Sequence, residues 1–405
     1  MTLMMHSTDP EHGNRVLILV ENLPSPFDRR VWQEATTLQQ NGWEVSIICP
    51  TGKGYHKKRE VIDGIYIYRY NLPAEGEGAL GYLAEYSTAL SQTLRLAFAV
   101  RRERGVDIIH ACNPPDLFFL IGGLFKLLYR TKFIFDHHDI NPELYEAKFG
   151  RRDILWKLMV ILERATFRIA DVSIATNESY RRIAINRGGM DPRRVFVVRS
   201  GPVLERLKLV PSNPALKCGR QYLVGYVGVM GKQEGIDLLL LAVKYITHEL
   251  GRRDIQFGLV GSGTSLAEMQ ALARDLGVSD YVTFTGRVPD DELLDMLSTA
   301  DVCVNPDVAN EMNDKSTMNK IMEYMALAKP IVQFDLTEGR YSAGEASLYA
   351  APNDAVDLAN KIIELLGDPQ RRERMGVYGR ERVQNELSWD YEAPKLLEAY
   401  DQVKR

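Results

Sequence analysis

The sequence predicts an α/β protein built from two doubly wound, Rossmann-like parallel-sheet domains, and three observations carry that prediction. Short apolar runs alternate with helical segments along the chain, the pattern of parallel strands covered on both faces. The alternation breaks at the Pro-rich stretch "SGPVLERLKLVPSNPALKCGR" and then begins again, which marks a linker. The 405 residues also exceed the roughly 250–300 at which a single core stops growing.

In the first half the expected strands are "RVLILV", "EVSIICP", "IYIYRY", "DIIHAC", "KFIFDHHD", "DVSIATN" and "VFVVRSG". Helices are expected around 29–41, 79–104, 116–129 and 154–169. In the second half the strands are "YLVGYVG", "IQFGLVG", "VTFTG", "VCVNP" and "PIVQFD", separated by segments with apolar residues at three- and four-residue spacing. The resulting domains are 1–204 and 205–387, with a last helix over 388–405. Two such units face to face would make a cleft, and ligands in sheets of this kind bind at the carboxyl ends of the strands.

Composition narrows the function. Lys plus Arg number 50 against 54 acids, a net charge of −4, so nucleic acid is not an expected partner. The four cysteines lie far apart with no C-x-x-C pair, as expected of free thiols in a reducing compartment. The start, "MTLMMHSTDPEHGNR", has no apolar core behind a basic head, and no long uncharged apolar window follows, so a cytoplasmic protein is expected.

The strand ends supply the candidate site. "YVGVMGKQEGID" offers Gly228, Gly231 and Lys232, and "LVGSG" offers Gly261 and Gly263, where backbone can approach a phosphate or base. The third glycine of a dinucleotide fingerprint is missing after "LVGSG", which disfavours a nicotinamide cofactor. "FTGRVPDDELLDML" offers Arg287 and Val288 before Pro289, which can open a helix. In "NDKSTMNKIMEYMALAKPIVQFD", Ser316 or Thr317 is the expected cap, Met318, Ile321, Met322 and Met325 form a core face, and Asn319, Lys320 and Glu323 fall opposite. Lys320 and Glu323 read either as a surface ion pair or as a clamp, with Lys320 on phosphate and Glu323 on ribose. In the first half, "FDHHDINPE" places His137 and His138 between Asp136 and Asp139, and two adjacent histidines cannot point into one core. A metal there lacks a completing ligand cluster. "HACNPPDL" offers Asn113 and two prolines as a wall or a contact.

Together the second-half motifs "YVGVMGKQEGID", "LVGSG", "VTFTGRVPDDELLDMLSTADVCVNP" and "NKIMEYMALAKPIV" resemble, in order and spacing, retaining glycosyltransferases of family GT4, which have the GT-B fold. "LPSPFDRRVWQEATTLQQNGWEVSIICP", "FDHHDINPE" and the last helix "LSWDYEAPKLLEAY" are similar to the rest of that family. The resemblance implies a nucleoside-diphosphate sugar donor, a UDP-sugar on family frequency, and a glycan or lipid-linked acceptor. It implies that Glu323, the second glutamate of E-x7-E, holds ribose, that backbone at Arg287 and Val288 holds the base, and that Gly263 lies near the nucleotide. His138, followed by Asp139, would contact the donor sugar, and the last helix would pack back on the first domain.

Three departures stand against the family pattern. Val229 and Glu234 occupy the positions of its Arg-x4-Lys phosphate pair, Lys315 that of the first glutamate, and Ser25-Pro26 that of a glycine pair. Lys232 and Lys320 are the expected replacements on the diphosphate, with Arg29 a weaker one. Glu311 or Asp314 is the expected stand-in for the first glutamate. No Asp-x-Asp triplet is present to hold a metal, and no cofactor is expected. The alternatives are a nucleotide-sugar epimerase or hydrolase on the same plan, and a non-catalytic partner subunit. The segment "FGRRDILWKLMVILERATFRIAD" reads either as an amphipathic helix packed on the sheet or as a contact with the inner face of an anionic membrane.

Overall fold

A computed structural model describes residues 13–71 and 78–404, with the side chains of 78–85 left aside. The expectation for the amino terminus lies mostly outside the described residues. The chain divides into two compact units, one of residues 1–142, 152–198 and 393–405, the other of 143–151 and 199–392.

The sheet of unit 1 has strands β1 (Arg15–Leu19), β2 (Glu44–Pro50), β3 (Arg59–Ile62), β4 (Ile65–Tyr70), β5 (Ile108–Cys112), β6 (Lys132–His137), β7 (Val172–Ala175) and β8 (Val195–Val197), in the order β3-β4-β2-β1-β5-β6-β7-β8. All pairs are parallel except β3 with β4. The short edge strand β3, half exposed and without an apolar run, is not among the expected strands. The helix Glu178–Asn186 was not expected either, nor was Asn141–Phe149, of which 143–149 fall in unit 2. Residues 393–405 belong to this unit. There Tyr400 packs edge-on to Trp43 at 4.9 Å and bonds His110 Nδ1 at 2.8 Å.

Unit 2 carries β9 (Tyr222–Val227), β10 (Ile255–Val260), β11 (Val282–Gly286), β12 (Val302–Asn305), β13 (Ile331–Phe334) and β14 (Ser347–Ala350), all parallel, in the order β11-β10-β9-β12-β13-β14. Along β9, Val224 and Tyr226 enter one core while Leu223 and Val227 enter the other. Both faces are buried, which is why the strands read as apolar runs rather than as alternations.

In each sheet the strand order reverses at the first strand, β1 or β9, and the loops leaving those ends flank the crevice that such folds use for ligands. The stretch expected to be a linker folds onto unit 2 instead. Leu207 is buried there, and the N–H groups of Val210 and Asn213 donate to Ser298 and Thr299. Its prolines mark a surface-hugging path, with a 3-10 turn at Pro214–Lys217, and the division falls a few residues earlier than the expected boundary.

Candidate active site

In unit 2 the loops after β9 and β10 are locked together by their glycines. Gly261 has φ +138°, and a Cβ on it would stand 1.8 Å from the Gly228 carbonyl oxygen. A Cβ on Gly263 would stand 2.4 Å from that of Met230. These glycines are therefore required first by loop against loop, a cause the sequence reading did not contain. Gly261 also donates to Gly286 at 2.9 Å, which ties in the end of β11. Gly231 is free of such crowding, and Lys232 beside it is exposed. Arg287 is exposed, Val288 packs partly against the core, and Pro289 is the N-cap of helix Asp290–Thr299.

The helix Asn319–Ala326 stands at the centre of this end of the sheet. Its N-cap is Met318, with no side chain capping it, so neither Ser316 nor Thr317 plays that part. Ser316 Oγ donates back to Met312, and Thr317 Oγ1 accepts from Arg199 at 3.2 Å. Ile321, Met322 and Met325 are buried as a core face, and Asn319 is exposed. Tyr324, also buried, accepts from Val227 N–H at 2.9 Å and donates to Val304 at 3.2 Å, which fixes the helix to the ends of β9 and β12.

Lys320 and Glu323 turn to other partners rather than to each other. Lys320 Nζ lies 2.7 Å from Asp307 Oδ1 and 3.1 Å from Glu234 Oε2, with the Tyr226 ring 4.9 Å away. Lys320 is buried, which corrects its expected place on the polar side of the helix. Burial works against its charge, yet Asp307, Tyr226 and Glu234 hold its pKa well above the ordinary lysine range. Burial also pushes the Asp307 carboxyl up to about 7, against the opposing pull of Lys320. Glu234 thus meets a lysine brought from another helix, and Lys320 faces two carboxylates. Half-buried Glu323 accepts from Arg206 Nη2 at 3.0 Å, and Arg206 also reaches Asp290 at 3.1 Å. Both Asp314 oxygens cap Thr337, and Glu311 pairs with Lys315.

In unit 1 the end of β6 splits its polar residues between the two faces of the sheet. His137 is buried among Phe135, Phe167 and Tyr180, with Nε2 3.6 Å from Glu163. Asp136 points the other way and holds Arg30, whose Nη2 lies 2.9 Å from its Oδ1. Arg30 Nη2 is also 3.0 Å from Glu34, and its Nη1 donates to the Val198 carbonyl at 3.0 Å. His138 Nε2 lies against Asp136 Oδ2 and, at 3.0 Å, Arg30 Nε. Asn113 Oδ1 accepts the N–H groups of His138 at 2.7 Å and Asp139 at 3.1 Å, while its Nδ2 donates to the Asp139 carbonyl at 2.6 Å. Asn113 is thus a contact, one that shapes the His-Asp loop. Arg30, not the exposed Arg29, carries the buried cation on this helix.

Among the described residues Glu34, His110, Cys112 and Asp136 bring ligand-type atoms close together. The Arg30 guanidinium bonds two of them, Glu34 and Asp136, while burial keeps the Cys112 thiol well above its usual range and raises the Glu34 carboxyl against the pull of Arg30. Asp136 stays ionised, since Arg30 and His138 outweigh its own burial. Arg30 thus places a positive charge beside two of the four groups.

Sequence models of Glycosyltransferase Family 4 and of Glycosyl transferases group 1 match residues 28–206 and 221–368. The 2-deoxystreptamine glucosyltransferase of Streptomyces kanamyceticus is 27% identical over 350 residues, 84% of this chain and 88% of that protein. Sucrose-phosphate synthase from Thermosynechococcus elongatus superposes with a TM-score of 0.80 at 22% identity over 96% of this chain and 99% of its own. Anabaena Alr3699/HepE, solved with UDP and glucose, gives 0.73 at 15% identity over 95% and 99%. Two doubly wound parallel sheets with these relatives define a GT-B glycosyltransferase. Within that class the chain belongs to glycosyltransferase family 4.

Proposed function

We propose that the protein is a metal-independent, retaining glycosyltransferase that moves a hexose-type sugar from a UDP-sugar to a glycan or lipid-linked acceptor in polysaccharide or glycoconjugate assembly. The observation that carries the reading is Glu323, a half-buried carboxylate in the second turn of helix Asn319–Ala326, held by Arg206. A carboxylate so oriented suits two ribose hydroxyls, and the uncapped helix end suits phosphate. The UDP bound to Alr3699/HepE supports the choice of base. Arg287 and Val288 are assigned the base, and His138, with Asp139, the donor sugar. Because Lys320 is committed to Asp307 and Glu234, the diphosphate charge falls to exposed Lys232 and to the N–H groups around Met318 and Asn319.

In the reaction the bond from the anomeric carbon to the diphosphate oxygen breaks as positive charge develops on the sugar. The acceptor oxygen bonds that carbon on the face the diphosphate leaves, and its proton passes to the departing phosphate oxygen. No carboxylate nucleophile is needed. The test is to incubate the protein with UDP-sugars and a panel of glycan and lipid-linked acceptors, and to read the product's anomeric configuration by proton NMR with and without EDTA. Retained configuration unaffected by EDTA is expected. Inverted product, activity abolished by EDTA, or donor consumed without acceptor would overturn the reading.

A further inference from the structure

Two neighbouring helices of unit 1, Phe119–Tyr129 and Ile154–Ile169, cover the same face of its sheet. Gly122 abuts Phe133 so closely that a Cβ would stand 2.4 Å from the ring, and Phe167 packs edge-on to Phe135 at 5.0 Å. With these inner faces buried, the outer faces should be polar. They are not. Ile154, Leu158 and Ile161 form one outward stripe and Leu120 and Leu127 another, with Ile154 80% and Leu127 81% exposed.

The exposed charge around these stripes is mainly positive: Asp153 caps the second helix, and Asp171 is paired with Lys126 at 2.7 Å. Lys157, Arg164 and Arg168 are exposed and border the stripe of the second helix, and exposed Arg130 ends the first. The two helices contain one acid between them, Glu163, which is buried and paired with Arg187 at 2.6 Å. Such a face is unusual in a chain whose net charge is −4. An apolar stripe edged with cations matches an anionic lipid surface, where apolar side chains enter the acyl boundary and cations meet phosphate. It matches a second copy of the chain poorly, because a symmetric pair would oppose the same cations.

We propose that this face docks the protein on an anionic bilayer. The test is co-sedimentation of the full chain with vesicles of phosphatidylcholine alone and of equal parts phosphatidylcholine and phosphatidylglycerol. Binding is expected only to the latter, weakened about fivefold by Lys157→Gln and again by Arg168→Gln, and falling steeply with salt. Ile154→Glu with Leu158→Glu should abolish it with an unchanged melting temperature, since both side chains are exposed. No binding to the mixed vesicles, equal binding to both kinds, or an oligomer in sedimentation that the Glu variants dissolve would overturn the proposal.

Discussion

The two units each bury a cation between two carboxylates at a strand end, and they do so with different residues. In unit 1 it is Arg30, between Glu34 and Asp136. In unit 2 it is Lys320, between Asp307 and Glu234. The planar fork of arginine can meet both acids and the Val198 carbonyl and still touch His138, so the buried pair orients a further group. The ammonium of Lys320, a compact point charge, is absorbed by its two acids. A cation near a strand end is therefore no sign of ligand binding until its partners are known.

The comparison is broken most severely at Asp136. Asp136→Leu leaves Arg30 buried with Glu34 as the one remaining acid of its pair, and should lower the unfolding free energy in urea by about 3–5 kcal/mol. A loss below about 1 kcal/mol would remove the claim that Arg30 depends on it. Lys320→Met should cost about 2 kcal/mol at pH 8, less than full loss of a buried partner, because Asp307 can take up a proton. If the same variant left stability intact but abolished nucleotide binding, Lys320 would be a phosphate ligand after all. Lys232→Ala should leave the melting temperature unchanged and lower turnover at least about tenfold, short of the roughly hundred- to thousandfold of losing a preorganised donor because Lys232 is exposed. Near wild-type turnover would take Lys232 out of the site.

A further effect is one of pH. Asp307 has its pKa raised by burial from the ordinary carboxylate value to about 7. A group raised on folding contributes stability fully present below the unfolded pKa, near 4, and lost as pH rises through the folded one. Asp136 has the opposite sign, since its depressed pKa gives stability that is lost only as pH falls below about 4. Melting temperatures between pH 4 and 7 should therefore decline less in Asp307→Asn than in the wild type. Identical slopes would contradict the raised Asp307.

Much of this fold was legible in the sequence because strands buried on both faces leave apolar runs that helices interrupt. The edge strand β3 and the four-residue β14 leave no such run, and both were missed. The strand-end residues were legible too, since glycines and polar groups cluster where strands stop. Their partners were not. Arg206 reaches Glu323 from a stretch that reads as a linker, and Asp307 and Glu234 reach Lys320 from two other loops. Such pairings are decided by tertiary contact, and no local period records them. Glycines mislead for a related reason: Gly261 and Gly263 are fixed by a neighbouring loop before any ligand arrives.

The central claim is that unit 2 is a working nucleotide site organised around Glu323. The direct measurement is the melting temperature of the protein with UDP, GDP, ADP and NAD in turn, for the wild type and for Glu323→Ala. At about a hundred times its dissociation constant a ligand adds roughly 2.7 kcal/mol of stability. Stabilisation by UDP that disappears in Glu323→Ala is the predicted result. No shift with any nucleotide, or a UDP shift that survives the substitution, would contradict it.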